Sequence, residues 1–160
     1  MPYRVLASVL TLALLLAACA EATSDDDYAA THRAQDVHLT PDGNTMQYAQ
    51  TAFSVKAGST VTLTFENTAT SSAMVHNVVL LTTDDDADLQ RVSQAGMQAG
   101  VDSDYIPEDD AIHAATPLAQ PGETVSITFT APQEPGAYRY FCTFPGHASM
   151  MQGTMLVEES

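Results

Sequence analysis

Residues Tyr138 to Met155 read YRYFCTFPGHASMMQGTM and hold one cysteine, one histidine and three methionines. The chain has only one other cysteine, Cys19. The segment A-Y-R-Y-F-C on one side and G-T-M-L-V-E on the other read as strands, and T-F-P-G between them supplies a tight turn. Sulfur and imidazole concentrated on a strand-connecting turn need a reason. The candidates are a core thiol, methionine packing and a metal site.

Outward from this turn the chain is mostly strand. P-G-E-T-V-S-I-T-F-T places Val125, Ile127 and Phe129 on one face, and T-V-T-L-T-F-E-N does the same with Val61, Leu63 and Phe65. Asp36 to Leu39 gives a short first strand, Met46 to Val55 alternates imperfectly, and Val75 to Leu81 is a denser apolar strand. Between the halves, Asp84 or Asp85 can cap a helix that Gly100 ends, with Leu89, Val92 and Met97 as its inward side. D-S-D-Y-I-P-E-D-D-A-I reads as an irregular excursion, and its aspartates lack the ligand spacing and closing glutamate of an EF-hand. Many short strands with Gly/Pro turns imply an all-β, antiparallel Greek-key sandwich or barrel with a short helical excursion.

The N-terminus bounds location. Arg4 precedes an apolar run ending in Leu16-Ala17-Ala18-Cys19. A short positive region, a hydrophobic region and small residues read as an export leader, too short for a comfortable membrane span. The last four residues resemble a bacterial lipobox, so residues 1–18 are expected to be removed and Cys19 to carry a lipid anchor. Residues 19–34 then form an acidic tether, and residues 35–158 form one domain. Cys142 is left as the single thiol of an exported chain, with no intramolecular disulfide available.

The formal net charge of −15 becomes −16 once Arg4 leaves with the leader. Nucleic acid and anionic membranes are poor partners for such a surface. The acid excess also suits solvation in high salt, as in a salt-loving bacterium.

Cys142, His147 and Met151 are separated by four and then three residues, so one turn can bring thiolate, imidazole and thioether together. A fourth ligand must come from elsewhere. His76 opens the apolar strand in M-V-H-N-V-V-L. Two neutral histidines, one thiolate and a weak thioether form the ligand set of a blue-copper electron-transfer site. Zinc accepts the same donors, although methionine is an unusual ligand for it and paired-cysteine spacing is absent. His32, His38 and His113 share no motif.

F-C-T-F-P-G-H-A-S-M-M-Q-G-T resembles the copper-binding loop of the azurins, blue copper proteins of the cupredoxin family. N-T-M-Q-Y, M-V-H-N-V-V-L and A-G-M-Q-A-G-V-D-S-D-Y-I-P-E-D-D resemble azurin segments in the same order, so the similarity covers roughly Gln35 to Val157. The resemblance implies a cupredoxin Greek-key β-sandwich binding one copper ion per chain. Its strong ligands would be His76, Cys142 and His147, with Met151 rather than Met150 axial. It also implies that Asn77 ties the His76 segment to the cysteine loop, that backbone N–H groups around Phe144 point at the sulfur, and that Met74, Met97 and Met150 rim His147. The sequence departs from the family at Val75, where azurins have glycine, at Val78, where they have a buried tryptophan, and in lacking their disulfide.

The expected function is Cu(II)/Cu(I) electron transfer between redox proteins such as cytochromes, in the periplasm or outer cell envelope. Copper storage or delivery is the alternative. No enzyme activity and no small-molecule substrate are expected.

Overall fold

The alternation of Val61, Leu63 and Phe65 buries all three side chains. A computed structural model describes residues 35–160. The leader, Cys19 and the 19–34 tether lie outside the described residues.

The strands are β1 (Gln35–Leu39), β2 (Ala52–Lys56), β3 (Thr60–Glu66), β4 (Val79–Leu81), β5 (Ile112–Ala115), β6 (Thr124–Thr130), β7 (Gly136–Phe141) and β8 (Gln152–Glu158). Helix α1 (Asp86–Ala99) and a 3-10 turn (Val101–Ser103) lie between β4 and β5. One sheet has the order β1-β3-β6 and the other β2-β8-β7-β4-β5. Together they form the expected β-sandwich with a helical excursion. Apolar faces of both sheets meet in one core that includes Phe65, Leu80, Tyr140, Cys142, Met151 and Met155. The metal-candidate residues Cys142 and Met151 are thus part of the core itself.

The sheets are mixed rather than wholly antiparallel: β1 runs parallel to β3 and β2 parallel to β8. After β1 the chain crosses to the other sheet as β2 and returns as β3. Two reversals restore the original direction, and β2 with its flanking loops serves as the crossover that a parallel pair needs.

Two expectations shift, and one strand was not anticipated. Only Val79–Leu81 of the Val75–Leu81 run is strand. The backbone before it bonds elsewhere: His76 bridges Ala119 in both directions at 3.2 and 2.8 Å, and the Val78 amide donates to Thr116 Oγ1 at 2.9 Å. Of Met46–Val55 only β2 is regular; Tyr48 bridges Pro41 within a loop. Strand β5 pairs with β4 although its sequence IHAA carries no clear alternation.

Helix α1 matches its sequence cues. The Asp85 carboxylate accepts from the Ala87 amide at 2.7 Å, and Gly100 ends the helix at φ +78°. Leu89 and Val92 are buried against Phe141 and Ala148. Met97 is not inward; it is half exposed. Gly96 takes the inward place, because any Cβ there would stand 2.5 Å from the Tyr105 carbonyl oxygen. That close approach seats the helix end beside Thr143, the residue after Cys142.

Candidate metal centre

The β7 strand ends at Phe141, so Cys142 leaves the sheet pointing into the core. Gly146 then adopts φ +86°, a left-handed conformation suited to glycine. The chain reverses, and the His147 amide donates to Phe144 O at 3.0 Å. Met151 closes the turn: its amide donates to His147 O at 2.8 Å, and its carbonyl accepts from the Cys142 amide at 3.0 Å. These bonds fix the spacing of Cys142, His147 and Met151 through the backbone.

His76, Cys142 and His147 meet at one point, their ligand atoms all within 4.8 Å of one another. The two Nδ1 atoms are 3.1 Å apart, and Cys142 Sγ lies 3.7 Å from His147 Nδ1 and 4.0 Å from His76 Nδ1. All three residues are buried, as is Met151. Of the four expected ligands the structure therefore brings three together. It places the backbone of the fourth against Cys142.

The chemistry of these groups fits a thiophilic cation. Burial, and then the neighbouring His147, pulls the His76 pKa down to about 4; burial likewise lowers that of His147. Both imidazoles are neutral donors at pH 7. Burial pushes the Cys142 thiol up to about 12, opposed by hydrogen bonds from the Asn77 and Phe144 backbone N–H groups. Those two N–H groups are aimed at sulfur charge that would develop when a metal replaces the thiol proton. His76 Nε2 is buried without a partner, so this ring's polar contacts are confined to the Nδ1 side.

A polar frame surrounds the donors. Asn77 donates from Nδ2 to Thr143 Oγ1 at 2.8 Å and to Asp104 O at 3.0 Å, and its Oδ1 accepts from the Thr143 amide at 2.9 Å. This joins the His76 segment to the cysteine loop, as the resemblance implied. Asp104 and Tyr105 both have positive φ, near +53° and +55°, an uncommon conformation held here by contacts to Asn77 and Gly96.

Sequence reasoning missed two further supports. Asn67 donates to Met74 O and Ala119 O, tethering both chains beside His76. Tyr48 donates from its hydroxyl to Asn77 O at 2.6 Å. The available cue for Asn67 was an asparagine directly after the clear β3 alternation; Tyr48 lay in N-T-M-Q-Y without an assigned role. Met150 and Met97 are about half exposed and Met74 is half-buried, while the Phe144 ring lies 4.9 Å from that of His147.

Residues 35–158 match the family described as copper binding proteins, plastocyanin/azurin family. The chain belongs to that family. Auracyanin-A of Chloroflexus aurantiacus is 36% identical over 157 residues, covering 96% of this chain and 94% of that protein. Azurin of Pseudomonas aeruginosa is 40% identical over 102 residues, covering 62% of this chain and 67% of that protein. The solved structure of auracyanin A, described as a "blue" copper protein, superposes with a TM-score of 0.73 at 37% identity, covering 79% of this chain and all of that one. Dithionite-reduced auracyanin of Roseiflexus castenholzii gives 0.70 at 36% identity, covering 79% and 99%. The His/Cys/His cluster is that of a single type 1 copper site, and this cupredoxin is an electron carrier rather than an enzyme.

Proposed function

We propose that His76 Nδ1, Cys142 Sγ and His147 Nδ1 are the strong copper ligands, with the Met151 thioether as a weak axial donor. The observation that carries this reading is the convergence of the three strong donors in a buried pocket. Copper, when bound, supplies the Cu(II)/Cu(I) couple. The chain holds the donors in place, excludes water and directs the Asn77 and Phe144 N–H groups at the sulfur. Stabilising an electron-rich thiolate by N–H donors is one way a protein sets a redox potential.

Partner redox proteins, cytochromes among them, exchange electrons at the rim formed by Met97 and Met150 near His147. Brief encounters suit a small contact area. Residues 1–18 act as the leader, lipidated Cys19 anchors the chain outside a bacterial cytoplasm, and residues 19–34 space the 35–158 domain from the membrane. The match to auracyanin-A extends beyond the 35–158 domain into the N-terminal segment. No helix among the described residues is long and apolar enough to cross a membrane.

Titrating metal-free protein with Cu(II) tests the ligand assignment. A one-to-one endpoint with an intense visible thiolate-to-copper band, bleached reversibly by a reductant, is expected. Stoichiometric copper without that band would instead indicate storage or delivery. The mass of the native N-terminus tests the anchor.

A further inference from the structure

The ligand turn is fastened from outside the copper pocket. Gln152, the first residue of β8, follows Met151 directly. Its Nε2 donates to Ser149 O at 3.2 Å and reaches Ala148 O at 3.5 Å, both carbonyls of the turn between His147 and Met151. Its Oε1 accepts from Arg139 Nη1 at 2.6 Å. Register explains the meeting: Phe141 pairs with Gln152, so Arg139, two residues earlier on β7, is a diagonal neighbour on the same sheet face.

Arg139 decides which way the amide points. A guanidinium only donates, so the Gln152 oxygen must face it, and the NH2 group must then face the turn carbonyls. Arg139 is itself held: Nε donates to Asp84 Oδ1 at 2.7 Å, Nη2 to Asp84 O at 3.2 Å, and Nη1 to Asp86 Oδ1 at 3.1 Å. The Asp86 side chain is 80% exposed, so its pairing adds little. The two contacts to Asp84, one to backbone, set the plane of the fork. The Arg139 side chain is only 18% exposed, and it is one of just five Lys and Arg residues in the chain. A strongly acidic protein with few cations has enclosed one of them beside its metal-candidate turn.

We propose that Arg139 and Gln152 act as a paired positioning clamp that holds the His147–Met151 turn in its ligating conformation whether or not copper is present. The function of the clamp rests on the copper reading; its geometry does not. Both residues avoid the donor atoms. They act on the Ala148 and Ser149 carbonyls, in the turn between His147 and Met151.

Two measurements on the full chain test the clamp. In metal-free protein, hydrogen exchange at the Met150 and Met151 amides, which bond to His147 O, is expected to quicken about tenfold in Gln152→Leu. Tenfold is the factor at the upper end of the range for one hydrogen bond, as fits the loss of contacts to two carbonyls. Release of Cu(I) to a competing chelator is expected to quicken by a similar factor. Gln152→Glu keeps an acceptor for Arg139 but loses both N–H donors, and is expected to behave like Gln152→Leu even if the latter folds poorly. Arg139→Met is expected to give the same acceleration, and the double variant no more than either single one. Wild-type exchange in both Gln152 variants, or additive effects in the double variant, would overturn the clamp. Failure of wild-type protein to bind copper would sink the copper reading alone, since the exchange measurement needs no metal.

Discussion

Replacing Asn77 with alanine is expected to remove the principal polar tie between the His76 segment and the cysteine loop. The side chain makes three hydrogen bonds, two to Thr143 and one to Asp104 O, and is fully buried. Deleting it strands the Thr143 amide and the Asp104 carbonyl in a pocket that alanine cannot fill. Each ordinary bond contributes about 1 kcal/mol and each buried orphan costs about 1–3 kcal/mol, so the loss is roughly 3–5 kcal/mol. That is a large share of the 5–15 kcal/mol typical of a domain. Urea denaturation of metal-free protein reads it without the stabilisation that copper binding adds. With a slope of about 2 kcal/mol/M the midpoint falls by roughly 1.5–2.5 M. Thr143→Val removes only the hydroxyl and is expected to cost about 1 kcal/mol, giving a graded series. A loss below about 1 kcal/mol for Asn77→Ala would show that the contacts at Asn77 are incidental and that the site is framed by other means.

Acid is expected to weaken the metal-free protein. His76 has a pKa of about 4 against an ordinary 6.5, so the unfolded chain binds more protons between those values. Its contribution is complete above about pH 6.5 and declines by up to ~1.4 kcal/mol per unit as pH falls towards 4; a urea midpoint that stays flat from pH 7 to pH 5 would contradict this. Cys142→Ser is expected to abolish the visible thiolate band while leaving a folded sandwich, checked by copper titration and circular dichroism. Met151→Leu conserves volume, costs less than about 1.5 kcal/mol and keeps the band. It shifts the midpoint potential if the thioether touches copper, and voltammetry unchanged from wild type would remove Met151 from the ligand set. Gly153→Ala drives a Cβ into the Tyr140 ring and to 2.8 Å from Thr51 O, and is expected to destabilise the domain by several kcal/mol in thermal unfolding.

What could be read in the chain followed the range of the interactions involved. The strands around Val61–Phe65 and Val125–Phe129 were legible because alternation is local, and α1 was legible from Asp85 and Gly100 at its ends. The candidate ligand turn was legible because Cys142, His147 and Met151 sit within ten residues. The frame around it was not: Tyr48 meets Asn77 across 29 residues, and Asn77 meets Thr143 across 66. Polar residues in such roles carry no periodic signature. The Val75–Val78 segment misled for the opposite reason. It is apolar enough for a central strand, yet its backbone bonds go to Ala119, Thr116, the Tyr48 hydroxyl and the Cys142 sulfur, none of them in a neighbouring strand.

That irregular segment explains how the three candidate donors come to meet. A regular strand would have committed the backbone around His76 to a ladder. Here Asn67 and Ala119 hold it at the end of the sandwich, and Asn77 ties it to Thr143. The proposed ligands opposite it are fixed by backbone bonds among Cys142, Phe144, His147 and Met151. The entropy of bringing His76 to Cys142 is lost as these core residues and polar ties assemble during folding. Close-packed interiors also resist small displacements. Donors confined in this way keep their positions when the charge at the centre changes by one electron, which is the property an electron carrier needs most. The same confinement makes Asn77 and Thr143, whose side chains tie the two segments together, as consequential for the site as the residues they position.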